Sequence, residues 1–317
     1  MTTSAPAGTP EIGVFLPTLG PEPGGRAREI TAAARRAEDL GFDSVWTGDP
    51  LIGRSLVVEG GLALATAAAV TDRVGIGFGV LHLPLHPLAQ VAQRIGTLQH
   101  LSEGRLLLGV GSGGAGPRSR WRGGVPDTTA WQATGLPYEE RYARLDRALE
   151  LLPDLLGGAP VRLAGQPDAP ELTLSLPVPP PPLLVGGTSP RALRRAVTHR
   201  AEWFPALLSP AMLAAGRERL AELAAEQGRP APGSSVALPF SMGPATPSAD
   251  QVATLLTGTY GIPAEQTGSV VVSGEPAQAA ERLAAFAAAG AHRIVLSTGA
   301  EDWRAQYDLL AEARALL

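Results

Sequence analysis

Apolar and polar positions along this chain fall into short blocks, and the most informative block runs from Val74 to Gly114. Val74 to Leu81 is apolar, punctuated by glycine and without a helix-capping signal, which is the pattern of a buried strand. Leu83-Pro84-Leu85-His86-Pro87 is a turn, and Pro87 suits the first position of a helix. Leu88, Val91, Ala92, Ile95 and Leu98 recur at helical spacing as far as Leu101. Ser102-Glu103-Gly104-Arg105 ends that helix, and Leu106 to Val110 is a second buried strand. A strand, a helix and a strand in this span predict a right-handed βαβ unit with parallel strands. Gly77 and Gly79 lie within the first strand, and Gly111, Gly113 and Gly114 follow the second. In parallel α/β folds that end of the strands is where ligands bind.

The same alternation continues on both sides. Ile12 to Leu16 is a strand closed by Pro17. Arg28 to Leu40 is a helix with Ile30, Ala33, Ala34, Ala37 and Leu40 on one face, stopped by Gly41. Ser44 to Thr47 is a strand, and Glu59 to Val70 an alanine-rich helix. Ala115 to Pro137 is a long loop, a length that is often functional or disordered. Tyr138 to Leu156 is a helix, Val161 to Leu163 and Leu172 to Leu176 a small hairpin, and Pro179 to Pro182 a stiff extended connector. Strands follow at Leu183 to Val185, Trp203-Phe204, Val236 to Phe240 and Ile294 to Leu296, with Val270 to Val272 as a short extended piece. Helices run from Pro190 to His199, Pro210 to Gln227, Ser248 to Tyr260, Pro276 to Ala289 and Trp303 to Leu317. Eight strands, nearly all followed by helices, predict a (β/α)8 TIM barrel with an extended insertion loop, as one domain over residues 1–317 with a disordered stretch at 1–10. The shared phrasing of Leu40-Gly41-Phe42-Asp43-Ser44-Val45 and Ala289-Gly290-Ala291-His292-Arg293-Ile294 suits such a repeat. The rival, an open doubly wound sheet, expects a glycine fingerprint after its first strand, and Phe15-Leu16-Pro17-Thr18-Leu19-Gly20 does not supply one.

Composition narrows the chemistry. The chain has 317 residues, is 44% hydrophobic and carries a net charge of -4. That is enough for one large core and gives no electrostatic case for nucleic acid. There is no cysteine, so thiolate nucleophiles and cysteine-held metals are excluded, and no metal site is expected. All 26 basic residues are arginine, which excludes a lysine Schiff base, a pyridoxal phosphate anchor and a P-loop lysine. Met1 to Pro10 reads as neither signal nor transit peptide, and no apolar run reaches membrane-spanning length. A cytoplasmic protein without membrane attachment is the expectation.

Several phrases carry candidate chemistry. Gly187-Thr188-Ser189-Pro190 after the strand at Leu183 offers close backbone approach, a capping hydroxyl and a helix start, which suits either a phosphate or an ordinary N-cap. Gly111-Ser112-Gly113 has the same two readings. Gly79-Val80-Leu81 is a site or a plain buried strand with glycines for close packing. His82, at the C-terminal end of a strand, suits acid–base work near neutral pH or a structural role. His86 beside Pro87 reads as a helix cap. Trp46 is a ring-facing wall or core. Arg118, Arg120 and Arg122 in the long loop are an anion clamp or a solvated surface.

Three phrases together resemble the luciferase-like monooxygenase family: Gly77 to Pro87, Thr97-Leu98-Gln99-His100-Leu101-Ser102-Glu103-Gly104-Arg105, and Gly109-Val110-Gly111-Ser112-Gly113. Leu40 to Trp46 and Leu184 to Pro190 are similar to further phrases of that family. The resemblance implies a barrel binding reduced flavin mononucleotide, FMN, or the deazaflavin coenzyme F-420 at its C-terminal face. It implies a flavin-dependent monooxygenase using oxygen on a small organic substrate, with a deazaflavin-dependent hydride transferase as the alternative and a non-catalytic flavin-binding barrel as a third possibility. A separate flavin reductase and a homodimer are the implied partners. Carried onto these residues, it puts cofactor contacts at Gly79, Val80, Leu81, Gly111, Ser112, Gly186, Gly187, Thr188 and Ser189, with a bulge and often a cis peptide near Gly79-Val80. Phe15, Trp46 and Trp203 would line the substrate pocket. Relatives often have a histidine after the acidic residue at Asp49; here Pro50 stands there, which makes His82 or Asp49 the proton-handling candidates. Gly114 replaces a glutamate of the sugar-phosphate dehydrogenase type, and Arg200-Ala201-Glu202-Trp203 departs from the usual Ala-Asp-Gly-Trp.

Overall fold

A computed structural model describes residues 8–20, 26–51, 56–113, 128–163, 170–244 and 247–317. Its centre is a curled sheet of nine strands, β1 (Glu11–Phe15), β2 (Ser44–Thr47), β3 (Gly75–Leu81), β4 (Leu106–Val110), β5 (Leu183–Gly186), β6 (Glu202–Phe204), β7 (Ser235–Met242), β8 (Val272–Gly274) and β9 (Arg293–Ser297). The order across the sheet is β6-β5-β4-β3-β2-β1-β9-β7-β8, and every pairing is parallel. Isolated bridges at Trp203↔Ser234 and Ala206↔Ala237 join the β6 and β7 segments, so the curl brings the two sides together.

Eleven α-helices connect and cover these strands among the described residues: α1 (Ile30–Asp39), α2 (Gly60–Ala68), α3 (Leu88–Leu101), α4 (Thr129–Thr134), α5 (Arg141–Leu156), α6 (Pro190–Thr198), α7 (Pro210–Glu226), α8 (Ala249–Tyr260), α9 (Ala264–Val270), α10 (Pro276–Ala288) and α11 (Trp303–Arg314). None is long and apolar enough to cross a membrane. Alternation along the strands divides the buried side chains between two layers. Ile12, Val14, Val45, Ile76, Phe78 and Leu108 join the large core shared with the helices. Trp46, Leu184, Phe204 and Val295 fill the inside of the curl, with Phe15, Val80, Leu107 and Ala237 against them. Trp46 is fully buried. It fits because its indole lies over Gly77, where a methyl group would sit 2.4 Å from Cε3.

Two side chains pin the strand starts opposite the ligand end. Glu38 accepts the N–H groups of Asp72, Arg73 and Val74, just before β3. Arg105 donates to the carbonyls of Ala68, Thr71, Val74 and Ser102 and to Thr71 Oγ1. The arginine that closes the Ser-x-Gly-Arg phrase is thus a staple across the ends of α2 and α3.

The elements differ from the sequence expectation at five places. The main sheet has nine strands instead of eight, the added one being Val272–Gly274. Val270 is the last residue of α9, a helix the apolar pattern did not announce; only Thr267 and Val270 of its residues are buried. Pro87 occupies the N-cap position, and Leu88 is the first helical residue. The expected loop from Ala115 to Pro137 contains α4, with Trp131 buried; residues 114–127, including Gly114, Arg118, Arg120 and Arg122, lie outside the described residues. The hairpin is confined to Val161–Arg162 and Glu171–Leu172. The two matching helix ends behave alike: Gly41 and Gly290 both take positive φ, 76° and 94°, where glycine alone is unstrained.

Candidate active site

The strand ends of β1, β2, β3, β4 and β5 are neighbours, so five separate stretches of sequence meet at one mouth. The β3 end is irregular. Its register with β4 shifts between Phe78 and Leu81, and the Gly79-Val80 peptide is cis. Val80 leans across the mouth between two neighbouring strand ends. A methyl group on Gly111 would be 2.7 Å from Val80 Cγ2, and one on Gly186 would be 3.0 Å from Val80 Cγ1. Phe15 lies over Gly79 from the other side, with Cζ 2.8 Å from the position a methyl group would take there. Phe15 and Val80 are half-buried and form an apolar shelf. Beneath it Trp46 and Phe204 pack at 5.2 Å between centroids and close the inside of the curl.

Beside the shelf stands a polar group that the sequence reading did not assemble. Asp49 Oδ2 accepts the His82 backbone N–H at 3.0 Å and the His86 Nε2 at 2.8 Å. Asp49 is buried, and among the described residues its carboxylate is met by these two donors. The one-turn helix Leu83–Leu85 reverses the chain and returns His86 to the carboxylate. His86 caps the C-terminus of that one-turn helix through its backbone N–H, while its side chain turns to Asp49; the N-cap of α3 is Pro87. The spacing signal was weak: an Asp and a His 37 residues apart meet only because β2 and β3 are paired. Among the described residues the His82 imidazole bonds no other side chain, and its one polar contact is with the Asp49 backbone. Burial pushes its proton affinity below the ordinary histidine value, the Asp49 charge opposing and His86 reinforcing that shift. Gly113 backs onto His82, and the Trp131 indole donates to the Gly113 carbonyl at 2.7 Å, so α4 fastens the segment after β4.

The start of α6 forms the far side of the mouth. Gly187 has φ of 106°, Ser189 Oγ accepts from the Ala192 N–H at 3.3 Å, and Pro190 opens the helix. Gly187, Thr188, Ser189 and Arg191 are exposed. The N–H groups of Thr188, Ser189 and Arg191 have no acceptor among the described residues, and an α-helix start with open donors favours an anion. Arg191 also faces the Tyr142 ring, with Cζ 5.0 Å from the centroid.

Four of the expected contacts fall elsewhere. The Leu81 side chain is fully buried in the layer between sheet and helices, because it follows the bulge on the outward parity. The Gly111 N–H is taken by the Leu81 carbonyl at 2.9 Å, so it has no donor for a phosphate, whereas Ser112 remains half-buried at the mouth. Trp46 is core, its Nε1 bonded to Ser44 Oγ at 2.8 Å, and it reaches no open pocket. Trp203 also points outward. Its indole covers Gly216 of α7 and donates to the Gly187 carbonyl at 2.8 Å, which makes it a support of the Gly187 turn rather than a pocket wall. Gly79, Val80, Gly186, Gly187, Thr188, Ser189, Ser112, Phe15, Asp49 and His82 do converge on the mouth. Among the described residues no three His, Asp or Glu side chains gather to hold a metal ion.

A family model described as luciferase-like monooxygenase matches residues 11–260. An F420-dependent glucose-6-phosphate dehydrogenase of Beutenbergia cavernae is 36% identical over 182 residues, covering 53% of this chain and 49% of that protein. The chain thus spans about half the length of the curated relatives it matches. Among solved structures, an F420-dependent secondary alcohol dehydrogenase in complex with an F420-acetone adduct superposes with a TM-score of 0.76 at 19% identity, covering 96% of this chain and 98% of the other. The oxygenating constituent of 3,6-diketocamphane monooxygenase from Pseudomonas putida, a type II Baeyer-Villiger monooxygenase in complex with FMN, gives 0.72 at 19% identity, covering 96% of both chains. These two likenesses establish a common fold.

Proposed function

The chain belongs to the luciferase-like monooxygenase family, and on that basis we propose that it is an oxidoreductase holding a reduced flavin at the mouth described above. In this reading eight strands close a (β/α)8 barrel, with β8 appended to β7; the bridges between β6 and β7 support it. The observation that carries the reading is the apolar shelf of Phe15 and Val80 beside the open start of α6. A planar ring with a phosphate tail needs both.

The residues fit the group. Thr188, Ser189 and Arg191 would hold the phosphate through N–H groups, the Thr188 hydroxyl and the Arg191 guanidinium, a contribution of about 0.3–2 kcal/mol from the helix start alone. Val80 and Phe15 would wall the ring, while Trp46 and Phe204 keep water from entering below. Bound reduced FMN would supply electrons and, with oxygen, monooxygenation of a small organic substrate. Asp49 and His86 would hold the proton that the substrate oxygen gains or loses, His86 Nε2 donating towards Asp49 Oδ2. A separate reductase supplying reduced FMN, and a homodimer, complete this reading.

The Asp49–His86 pair also favours the second reading, hydride exchange with the deazaflavin F-420, because converting an alcohol to a carbonyl requires a proton acceptor at the oxygen. Anaerobic titration with reduced FMN and reduced F-420, followed by admission of oxygen, separates the two. FMN binding with oxygen-dependent turnover supports the monooxygenase, selective F-420 binding supports hydride transfer, and binding of neither overturns the cofactor site. The phosphate contact has its own check. Ser189→Asp keeps an N-cap residue but adds a negative charge. It should weaken FMN binding about tenfold or more and leave riboflavin binding nearly unchanged. Equal losses for both ligands would remove Ser189 from the phosphate site.

A further inference from the structure

The described surface holds two cavities of interest. One, about 360 Å³, lies between the outward face of α3 and residues 172–176, away from the mouth. The other, about 480 Å³, lies at the ligand end of the strands. Its apolar wall comes from Leu207, Met212, Ile262 and Val270, and its polar groups include Gln266 and Ser269.

The position of this second cavity follows from the strand order. Phe204, at the end of β6, packs against Trp46 under the shelf. Three residues later Leu207 takes φ of 58° and donates its N–H to the Ala237 carbonyl of β7. The cavity therefore begins where β6 leaves the mouth. Its opposite wall is α9 and the turn before it. Val252, Leu256, Ile262, Val270 and Val271 form a small core of their own, separate from the large one, with Leu207 against it. The cavity is the cleft between that satellite and the start of α7.

We propose that this cleft binds the substrate, and that the substrate is a neutral, largely apolar molecule with a single hydroxyl or carbonyl group; the term substrate rests on the flavin reading above. No charged side chain lines the cleft among the described residues. Arg282 is bonded to the Gly268 carbonyl of α9 and does not line the cleft. An anionic ligand would lose its water there without gaining a partner, a cost that a neutral ligand does not meet. The Gln266 side-chain amide makes no hydrogen bond among the described residues and offers both an NH2 donor and a carbonyl acceptor. Ser269 Oγ already donates to the Gln266 carbonyl at 2.6 Å and keeps only acceptor capacity. The volume lies in the range of about 300–1,000 Å³ typical of small-molecule sites. Sugar phosphates, the substrates named for the dehydrogenase relative, do not fit this lining.

Saturation-transfer NMR on the whole protein tests it, with cyclohexanol, methylcyclohexane and glucose 6-phosphate as probes. Wild-type protein should bind cyclohexanol, and glucose 6-phosphate should not compete with it. Met212→Trp, which fills the cleft, should weaken cyclohexanol about tenfold. Gln266→Leu, at an exposed helical position, should weaken cyclohexanol roughly threefold to tenfold and leave methylcyclohexane unchanged. It keeps the test alive should Met212→Trp fail to fold. Displacement of cyclohexanol by glucose 6-phosphate, or cyclohexanol binding indifferent to both substitutions, overturns the proposal. So does displacement of cyclohexanol by FMN or F-420, which would assign the cleft to the cofactor. If neither cofactor binds while cyclohexanol binding behaves as stated, the cleft stands and the flavin reading fails.

Discussion

Asp49 is followed by Pro50, yet an imidazole still reaches its carboxylate, because the turn at Leu83–Leu85 returns His86 to within 2.8 Å. The side chain that meets the acid comes from the next strand end instead of the next residue. This pair also positions backbone, since the same Oδ2 accepts the His82 N–H. Asp49→Asn keeps an acceptor but removes the charge. With whichever oxidant turns the wild type over, oxygen or a ketone, it should lower the rate of reduced-cofactor oxidation about 10²-fold and leave cofactor affinity within a factor of about three. A matching fall in affinity would show that Asp49 shapes the pocket instead of handling a proton. His82 has a different fate. Its ring is desolvated beneath Gly113 and has no side-chain partner among the described residues, so it is poised to stay neutral.

Between elements, the hydrogen bonds of Arg105 do what the loops cannot. One guanidinium satisfies carbonyls at the end of α2, in the turn before β3 and at the end of α3. The Ser-x-Gly-Arg phrase was legible as a helix stop, and its arginine acquires a purpose only when those three ends meet. Arg105→Ala leaves several half-buried carbonyls without donors and should cost about 2–4 kcal/mol in urea unfolding. Arg105→Lys, which cannot reproduce the planar fork, should recover less than half of that. A loss below 1 kcal/mol, roughly the worth of one neutral hydrogen bond, would show that water replaces the staple. α9 shows the opposite case. Its sequence, Ala264 to Val270, is short and mostly polar, and it is helical because Thr267 and Val270 fold onto the satellite core.

At the scale of the whole molecule, two half-buried imidazoles bias folding against acid. Burial pushes both His82 and His199 below the ordinary histidine value. For a histidine lowered on folding, the unfolded chain binds protons first as pH falls. The stability is complete above about pH 7 and declines as pH drops through the unfolded value near 6.5 towards the folded one. Glu38 acts at lower pH. Burial opposes its ionisation, but three backbone N–H donors prevail and hold its carboxyl below the ordinary value. Its contribution is present above about pH 4.5 and is lost below it. Thermal unfolding should therefore occur at lower temperature at pH 5.5 than at 7.5, and His82→Gln should narrow that difference. An unchanged difference would place the acid sensitivity at other groups. At the opposite end from the mouth, Arg293 joins Glu11 at 2.6 Å and Glu202 at 3.1 Å, tying β9 to β1 and β6 where the sheet curls on itself.

The sequence by itself determined what depends on neighbours along the chain. The period of apolar residues set the strands at Ser44–Thr47 and Leu106–Val110 to the residue, and the helix ending at Leu101 in all but its first position, because burying a strand or a helical stripe demands that spacing. Ser189 before Pro190 set the start of α6, and the family phrases carried the family itself. What the sequence could not determine depends on which residues meet after the sheet curls. Nothing local distinguishes Trp46 as plug from Trp46 as pocket wall; its position over Gly77 does. Nothing local turns Trp203 outward onto Gly216, gives Asp49 to His86, or opens a neutral cleft between Leu207 and α9. Those contacts are set by strand order, inward or outward parity and the bulge at Val80. All three arise from closing the sheet on itself, which no window of the sequence contains.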